Sequence, residues 1–250
     1  MKEISSSPRI IRLTETDSTN NYMHDLLEKE ILPEGTVVIS EFQSHGKGQV
    51  GNSWESEAGK NLMFSVLLHP DFVPANQQFL ISQISALAVQ QMLETFVKPI
   101  SVKWPNDIYW NDKKICGMLI ENDIAGTKLI NSIIGIGINI NQKKFISNAP
   151  NPVSLTQITG KEYDLHESLD IFLSCFFKLY NALIQGANEN IRNQYSASLY
   201  RGKGYYFFKD ARDEFEACIK NVEPSGHLIL VLRNGEQKRY AFKEVSFVMK

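Results

Sequence analysis

Hydrophobic positions change period several times along the chain, and each change marks an element. Ile10, Ile11 and Leu13 read as a first strand over residues 9–13, after which Tyr22, Met23, Leu26, Leu27 and Ile31 recur at helical spacing as far as Pro33. Between them, Thr14-Glu15-Thr16-Asp17-Ser18-Thr19-Asn20 carries the hydroxyls and carboxylates that cap a helix start. Residues 35–42, centred on Val37, Val38 and Ile39, and residues 61–68 read as buried strands flanking a polar loop, 43–60, with four glycines. Apolar side chains at helical intervals over 79–96, ending near Pro99, predict a long helix. An isoleucine-rich strand at 129–141 is interrupted by Gly135 and Gly137, where backbone or ligand must come close. Helices are predicted over 165–185 and 188–199, and the stripe Leu169, Phe172, Leu173, Phe176, Phe177 and Tyr180 of the first is a core-facing pattern.

From about Gly202 the pattern shortens. Alternating runs near 205–208, 214–222, 227–232 and 238–242 are separated by turn signals at Lys209-Asp210, Pro224-Ser225-Gly226 and Asn234-Gly235. This spacing predicts a small β-barrel and hence two domains, 1–201 and 202–250. With 250 residues, 43% of them hydrophobic and 22% charged, the chain can bury a sizeable core. A net charge of -2 argues against a broad nucleic-acid-binding face. Cys116, Cys175 and Cys218 have neither metal-ligand spacing nor the even count of a disulfide framework, which fits a reducing cytoplasm. No run approaches the ~20 apolar residues of a membrane span, and the polar first residues do not resemble a signal peptide. A cytoplasmic protein is therefore expected.

Candidate chemistry centres on Lys103-Trp104-Pro105-Asn106-Asp107. Pro105 donates no backbone hydrogen bond, so a strand must change course there. Ile108-Tyr109-Trp110 resumes a β-rich run, Asn111-Asp112 is turn chemistry, and Lys114-Ile115-Cys116-Gly117-Met118-Leu119-Ile120-Glu121 reads as the return strand. Asp107 and Lys114, seven residues apart, then lie on paired strands near enough to share a site. Taken alone, each also reads as an ordinary solvated charge beside a turn. Gly46, Gly48 and Gly51 formally match G-x-G-x-x-G, but no helix opens after the third glycine, which excludes a dinucleotide fingerprint. Such a loop still has backbone N–H groups to wrap an anion, with Lys47 adding charge and Trp54 an aromatic cover.

In order and spacing these segments resemble the biotin protein ligase family. The resemblance rests on Asp17-Ser18-Thr19-Asn20, the loop 43–54 followed by Asn61-Leu62-Met63-Phe64-Ser65, the Lys103 to Asp107 signature, the return strand from Lys114 to Glu121, and Gly135-Ile136-Gly137-Ile138-Asn139-Ile140-Asn141. It implies an α+β fold: a mixed β-sheet with helices packed on one side, in the manner of class II synthetases, plus a small SH3-like C-terminal β-barrel. The activity implied is condensation of biotin with ATP to biotinyl-5′-AMP, with Mg2+ on the polyphosphate, followed by transfer to one lysine of a biotin carboxyl carrier domain. Lys114, Asp107 and Lys47 take the catalytic roles. Biotin is assigned to Ser18, Thr19, Asn20, Gln43, Gly46, Lys47, Gly48, Gln49, Lys114 and Gly117. ATP is assigned to Lys47, Trp54, Lys103, Asn106, Lys114 and Asn139. No resident metal site is implied, and a homodimer through sheet-edge pairing is left open.

Two departures matter. Many relatives carry Gly-Arg-Gly-Arg-Arg-Gly where this chain has Gly46-Lys47-Gly48-Gln49-Val50-Gly51. Lysine cannot imitate the bidentate arginine fork, so the intermediate is expected to be held less tightly, or more by backbone amides. The 16 residues before Asp17 are also too few for the winged helix with which some members bind DNA, so a ligase without direct DNA binding is expected. The rival readings are a lipoate or octanoate ligase of the same architecture and a non-catalytic biotin sensor. The first lacks its Arg-Arg-x-Ser-Gly-Gly-Gly loop here, and the second does not need both Asp107 and Lys114.

Overall fold

Alternation along one strand sets the layers. In the computed structural model, which describes residues 8–48, 53–146 and 151–248, Val37 turns into a large core while Val38 turns into a small one on the opposite face of the sheet. Their strand, β2 (Val37–Gln43), pairs in parallel with β1 (Ile10–Thr16) and antiparallel with β3 (Leu62–Leu68). The sheet continues through β4 (Ile100–Lys103), β5 (Asp107–Trp110), β6 (Lys113–Ala125) and β7 (Lys128–Ile138) in the spatial order β1-β2-β3-β7-β6-β5-β4. Every pairing after the first is antiparallel, so the sheet is mixed.

Phe64, Val66, Ile134 and Ile136 face the large core, into which pack α2 (Phe79–Leu93) and α4 (Leu165–Ile184). α2 is buried almost all round because α4 and α5 (Asn188–Ala197) flank it. α4 begins where Asp164 accepts the free N–H groups of His166 and Glu167. These long helices share one side of the sheet, in accord with the α+β expectation. α1 (Thr19–Leu27) lies on the other, with Met23 packed against Val38, Leu67 and Ile133. The short α3 (Leu155–Thr159), which periodicity did not suggest, is closed by a capping box between Ser154 and Gln157.

α1 ends a turn earlier than its apolar spacing predicts. Leu32, not Ile31, enters the small core, and Ile31 is left 98% exposed. A second sheet of five antiparallel strands completes the fold: β8 (Tyr206–Asp210), β9 (Glu214–Val222), β10 (Leu228–Leu232), β11 (Gln237–Tyr240) and β12 (Val245–Phe247), ordered β11-β10-β9-β8-β12. This is the arrangement expected of an SH3-like unit. Lys209 and Asp210, read from sequence as a turn, belong to β8; the turn follows, where Asp210 Oδ1 accepts N–H bonds from Arg212 and Asp213. Trp104 Nε1 donates to Gly226 O at 2.9 Å and its ring meets Phe242 edge-on, tying the two sheets together. No helix among the described residues is long and apolar enough to cross a membrane.

Candidate active site

β6 and β7 meet with Gly117 opposite Gly137 and Leu119 opposite Gly135, so part of the α1 face of the sheet carries no side chains. A Cβ at Gly135 would collide with the Asn20 amide, and one at Gly137 with the Trp54 indole. A cavity of about 380 Å³ lies over this floor. Its walls come from the start of α1, the end of β2, the glycine loop, the Lys103 to Asp107 turn and β12.

Lys114 and Gly117 are three residues apart, which in a regular strand puts them on opposite faces. A bulge in β6 changes this: Ile108 pairs with Cys116 but Tyr109 with Lys114, so Ile115 is taken into the core and both Lys114 and Gly117 face the cavity. There Lys114 Nζ lies 2.6 Å from Asp107 Oδ1 and 5.7 Å above the Trp54 ring. Nearby, Lys103 Nζ donates to Tyr109 Oη at 2.9 Å and sits between the rings of Tyr109 and Phe247. Burial lowers the pKa of this lysine, and burial also pushes the Tyr109 phenol up. Asn106 holds the turn by donating through Nδ2 to Met118 O.

Ser18 occupies the N-cap position of α1 in extended conformation, yet its hydroxyl does not cap the helix. Asp17 does the local bonding instead, accepting from Asn21 Nδ2 and from Ser18 N–H, and these bonds hold its carboxyl below the usual range. Thr19 N–H donates to Gln43 Oε1 at 2.8 Å, which joins α1 to the end of β2.

Of the residues singled out from sequence, Ser18, Thr19, Asn20, Gln43, Lys47, Gly48, Trp54, Lys103, Asn106, Asp107, Lys114 and Gly117 line the one cavity. Lys47 stands exposed on the glycine loop, where it bridges to Ser53. Two do not line it. Gly46 is buried beneath Trp54, accepting its N–H at 2.8 Å, because a side chain there would meet the Trp54 carbonyl. Asn139 is buried too, its N–H on Ile115 O, its Nδ2 on Val153 O and its Oδ1 without a partner among the described residues. Gln49 lies outside the described residues. Sequence reasoning gave no role to Lys243, Val245, Ser246 and Phe247, which bring the second sheet into the cavity wall, nor to Ser65 or Glu121.

The model of the biotin/lipoate A/B protein ligase family matches residues 12–139, the stretch that builds most of this cavity. The chain belongs to the biotin/lipoate A/B protein ligase family. It is 34% identical over 169 residues to the bifunctional ligase/repressor BirA of Bacillus spizizenii, an alignment covering 65% of this chain and 51% of that relative. The chain thus spans about half the length of the first curated relatives it matches. The biotin--[acetyl-CoA-carboxylase] ligase of Paracoccus denitrificans is 29% identical over 227 residues, 87% of this chain and 92% of the relative. Among solved structures, the biotin protein ligase from Aquifex aeolicus in complex with biotin and ATP superposes with a TM-score of 0.78 at 25% identity, over 97% of this chain and 99% of that one. The family match ends at Asn139, just past the floor glycines Gly135 and Gly137, whereas the wall from β12 lies beyond it.

Proposed function

We propose that the protein is an ATP-dependent ligase that activates biotin as biotinyl-5′-AMP and transfers the biotinyl group to a lysine of a biotin carboxyl carrier domain. The observation that carries this reading is the Lys114–Asp107 pair, 2.6 Å apart over a glycine floor in the same cavity as Thr19 and Gln43. In the first step a carboxylate oxygen attacks the α-phosphorus of ATP and pyrophosphate departs. Two anions must meet, so fixed positive charge is required where they approach. Lys114 and Lys103 supply it from the cavity wall and Lys47 from the loop, with Trp54 against the nucleotide. In the second step the acceptor amine attacks the acyl carbon, AMP leaves, and Asp107 takes the ammonium proton.

Asp107 is the one carboxylate among the residues lining the cavity, and no cluster of three or more His, Cys, Asp or Glu suited to a metal occurs among the described residues. That donor set fits Mg2+ entering as part of the ATP substrate, held largely by phosphate oxygens. Residues 1–201 and 202–250 are proposed as the catalytic and accessory units, the second completing the wall through β12. The test is incubation with biotin, ATP, Mg2+ and a carrier domain, with lipoate offered in parallel. Labelling of the carrier with biotin, abolished in Lys114→Ala, is the expected result. No labelling by the intact protein, or preference for lipoate, would overturn the reading.

A further inference from the structure

Behind the cavity wall four side chains form a single hydrogen-bonded row from Thr19 through Ser65 and Asn20 to Glu121. Ser65 Oγ, on β3 and fully buried, lies 2.7 Å from Thr19 Oγ1 and 2.6 Å from Asn20 Oδ1. Asn20 Nδ2 lies 2.6 Å from Glu121 Oε2 and 3.3 Å from Leu119 O. On the outer side, His24 Nε2 stands 3.5 Å from the same Glu121 oxygen. Gly135, with no side chain, leaves the Asn20 amide room to lie against the sheet.

The donors and acceptors in this row admit one direction. A carboxylate and a backbone carbonyl only accept, so both require the NH2 end of Asn20. The carbonyl end of that amide then faces Ser65, and because a carbonyl cannot donate, the single Ser65 proton goes to it. The contact between Ser65 and Thr19 therefore uses the Thr19 proton. What Thr19 has left for the cavity is an oxygen with free lone pairs and no proton, a pure acceptor. Gln43 is oriented in the complementary sense: its Oε1 is taken by Thr19 N–H, so its amide offers the NH2 group. An acceptor beside a donor suits a ring carrying both N–H and C=O, and offers nothing to an apolar ring.

We propose that Glu121, which touches no ligand, is a positioning residue that acts through Asn20 and Ser65 to fix Thr19 as a hydrogen-bond acceptor and thereby selects a ligand ring bearing N–H groups. The assignment rests on biotin as the ligand and adds to that reading the residue that sets the polarity of its ureido pocket. It also gives Asn20 a different task from ligand contact, since both ends of its amide are already bonded.

Calorimetric binding of biotin and of its two cyclic carbamate analogues, each with one ureido N–H replaced by oxygen, tests the relay. Ser65→Ala and Glu121→Leu are expected to weaken biotin about tenfold, the equivalent of one well-placed hydrogen bond, while changing the affinity of the carbamate that lacks the N–H facing Thr19 by less than about twofold. Glu121→Gln keeps an acceptor oxygen and is expected to stay within about threefold of the native affinity for biotin. Equal losses for biotin and both carbamates would mean a merely structural role and overturn the relay. A native protein that does not bind biotin at all would instead overturn the ligand reading beneath it.

Discussion

Lys114 Nζ and Asp107 Oδ1 stand 2.6 Å apart on one face of a bulged hairpin, with roughly three quarters of each side chain removed from solvent. Without a ligand each neutralises the other, and under the proposed ligase reaction the two are expected to serve different half-reactions. Lys114→Ala is expected to slow pyrophosphate release by at least about 10²-fold, because the meeting anions lose their cation. Asp107→Asn is expected to leave pyrophosphate release within about threefold, yet slow transfer from supplied biotinyl-AMP by about 10²–10⁴-fold, the usual worth of a positioned base. Single-turnover assays of the two steps separate them; the same step failing in both variants would contradict the division.

Gly137 gives a sharper geometric test. A methyl group there meets the Trp54 indole, so Gly137→Ala is expected to lower stability by about 1–3 kcal/mol, as overpacking does. Adding Trp54→Ala should recover most of that loss without restoring activity. Urea denaturation of the two single variants and the double variant measures the coupling.

The glycine loop predicts a difference in retention. With Lys47 as the one cation between Gly46 and Gly51, biotinyl-AMP is expected to dissociate faster than from a relative with an arginine-rich loop. Lys47→Arg should slow that dissociation several-fold. A native rate as slow as that of the arginine-rich relative, measured by filter binding, would contradict it.

Asp210 supplies a pH dependence in the second sheet. The N–H of Asp213, the Tyr240 hydroxyl and the N–H of Arg212 hold its carboxyl far below its ordinary value of 3.8. A carboxyl depressed on folding contributes stability that is present above its unfolded pKa and lost as pH falls through the folded one. The native melting temperature is therefore expected to drop below about pH 4. Asp210→Ala should melt lower at pH 7 and show a flatter acid limb, with the two curves converging at the acid end.

Much of the site was legible because its residues come in short contiguous signatures whose turns force them together. Asp107 and Lys114 are examples: the turn at Asn111-Asp112 and the β-rich runs on either side predict that they lie on paired strands near enough to share a site. The bulge at Ile115 was not legible, since nothing in an apolar run marks where a strand gains an extra residue. Ser65 and Glu121 were overlooked for a related reason. A polar residue inside a strand reveals its partner only once the register against β7 and the position of α1 are known. Ile31 misled because helical spacing says which residues share a face but not where the helix stops.

β12 is three residues long, too short to announce itself by any period, yet Val245 and Phe247 close the cavity that the glycine floor opens. During synthesis every family signature leaves the ribosome well before this strand does. The nascent chain thus carries these signatures in an unfinished cleft, and under the proposed ligase reaction activity is expected only once the second sheet has completed the wall.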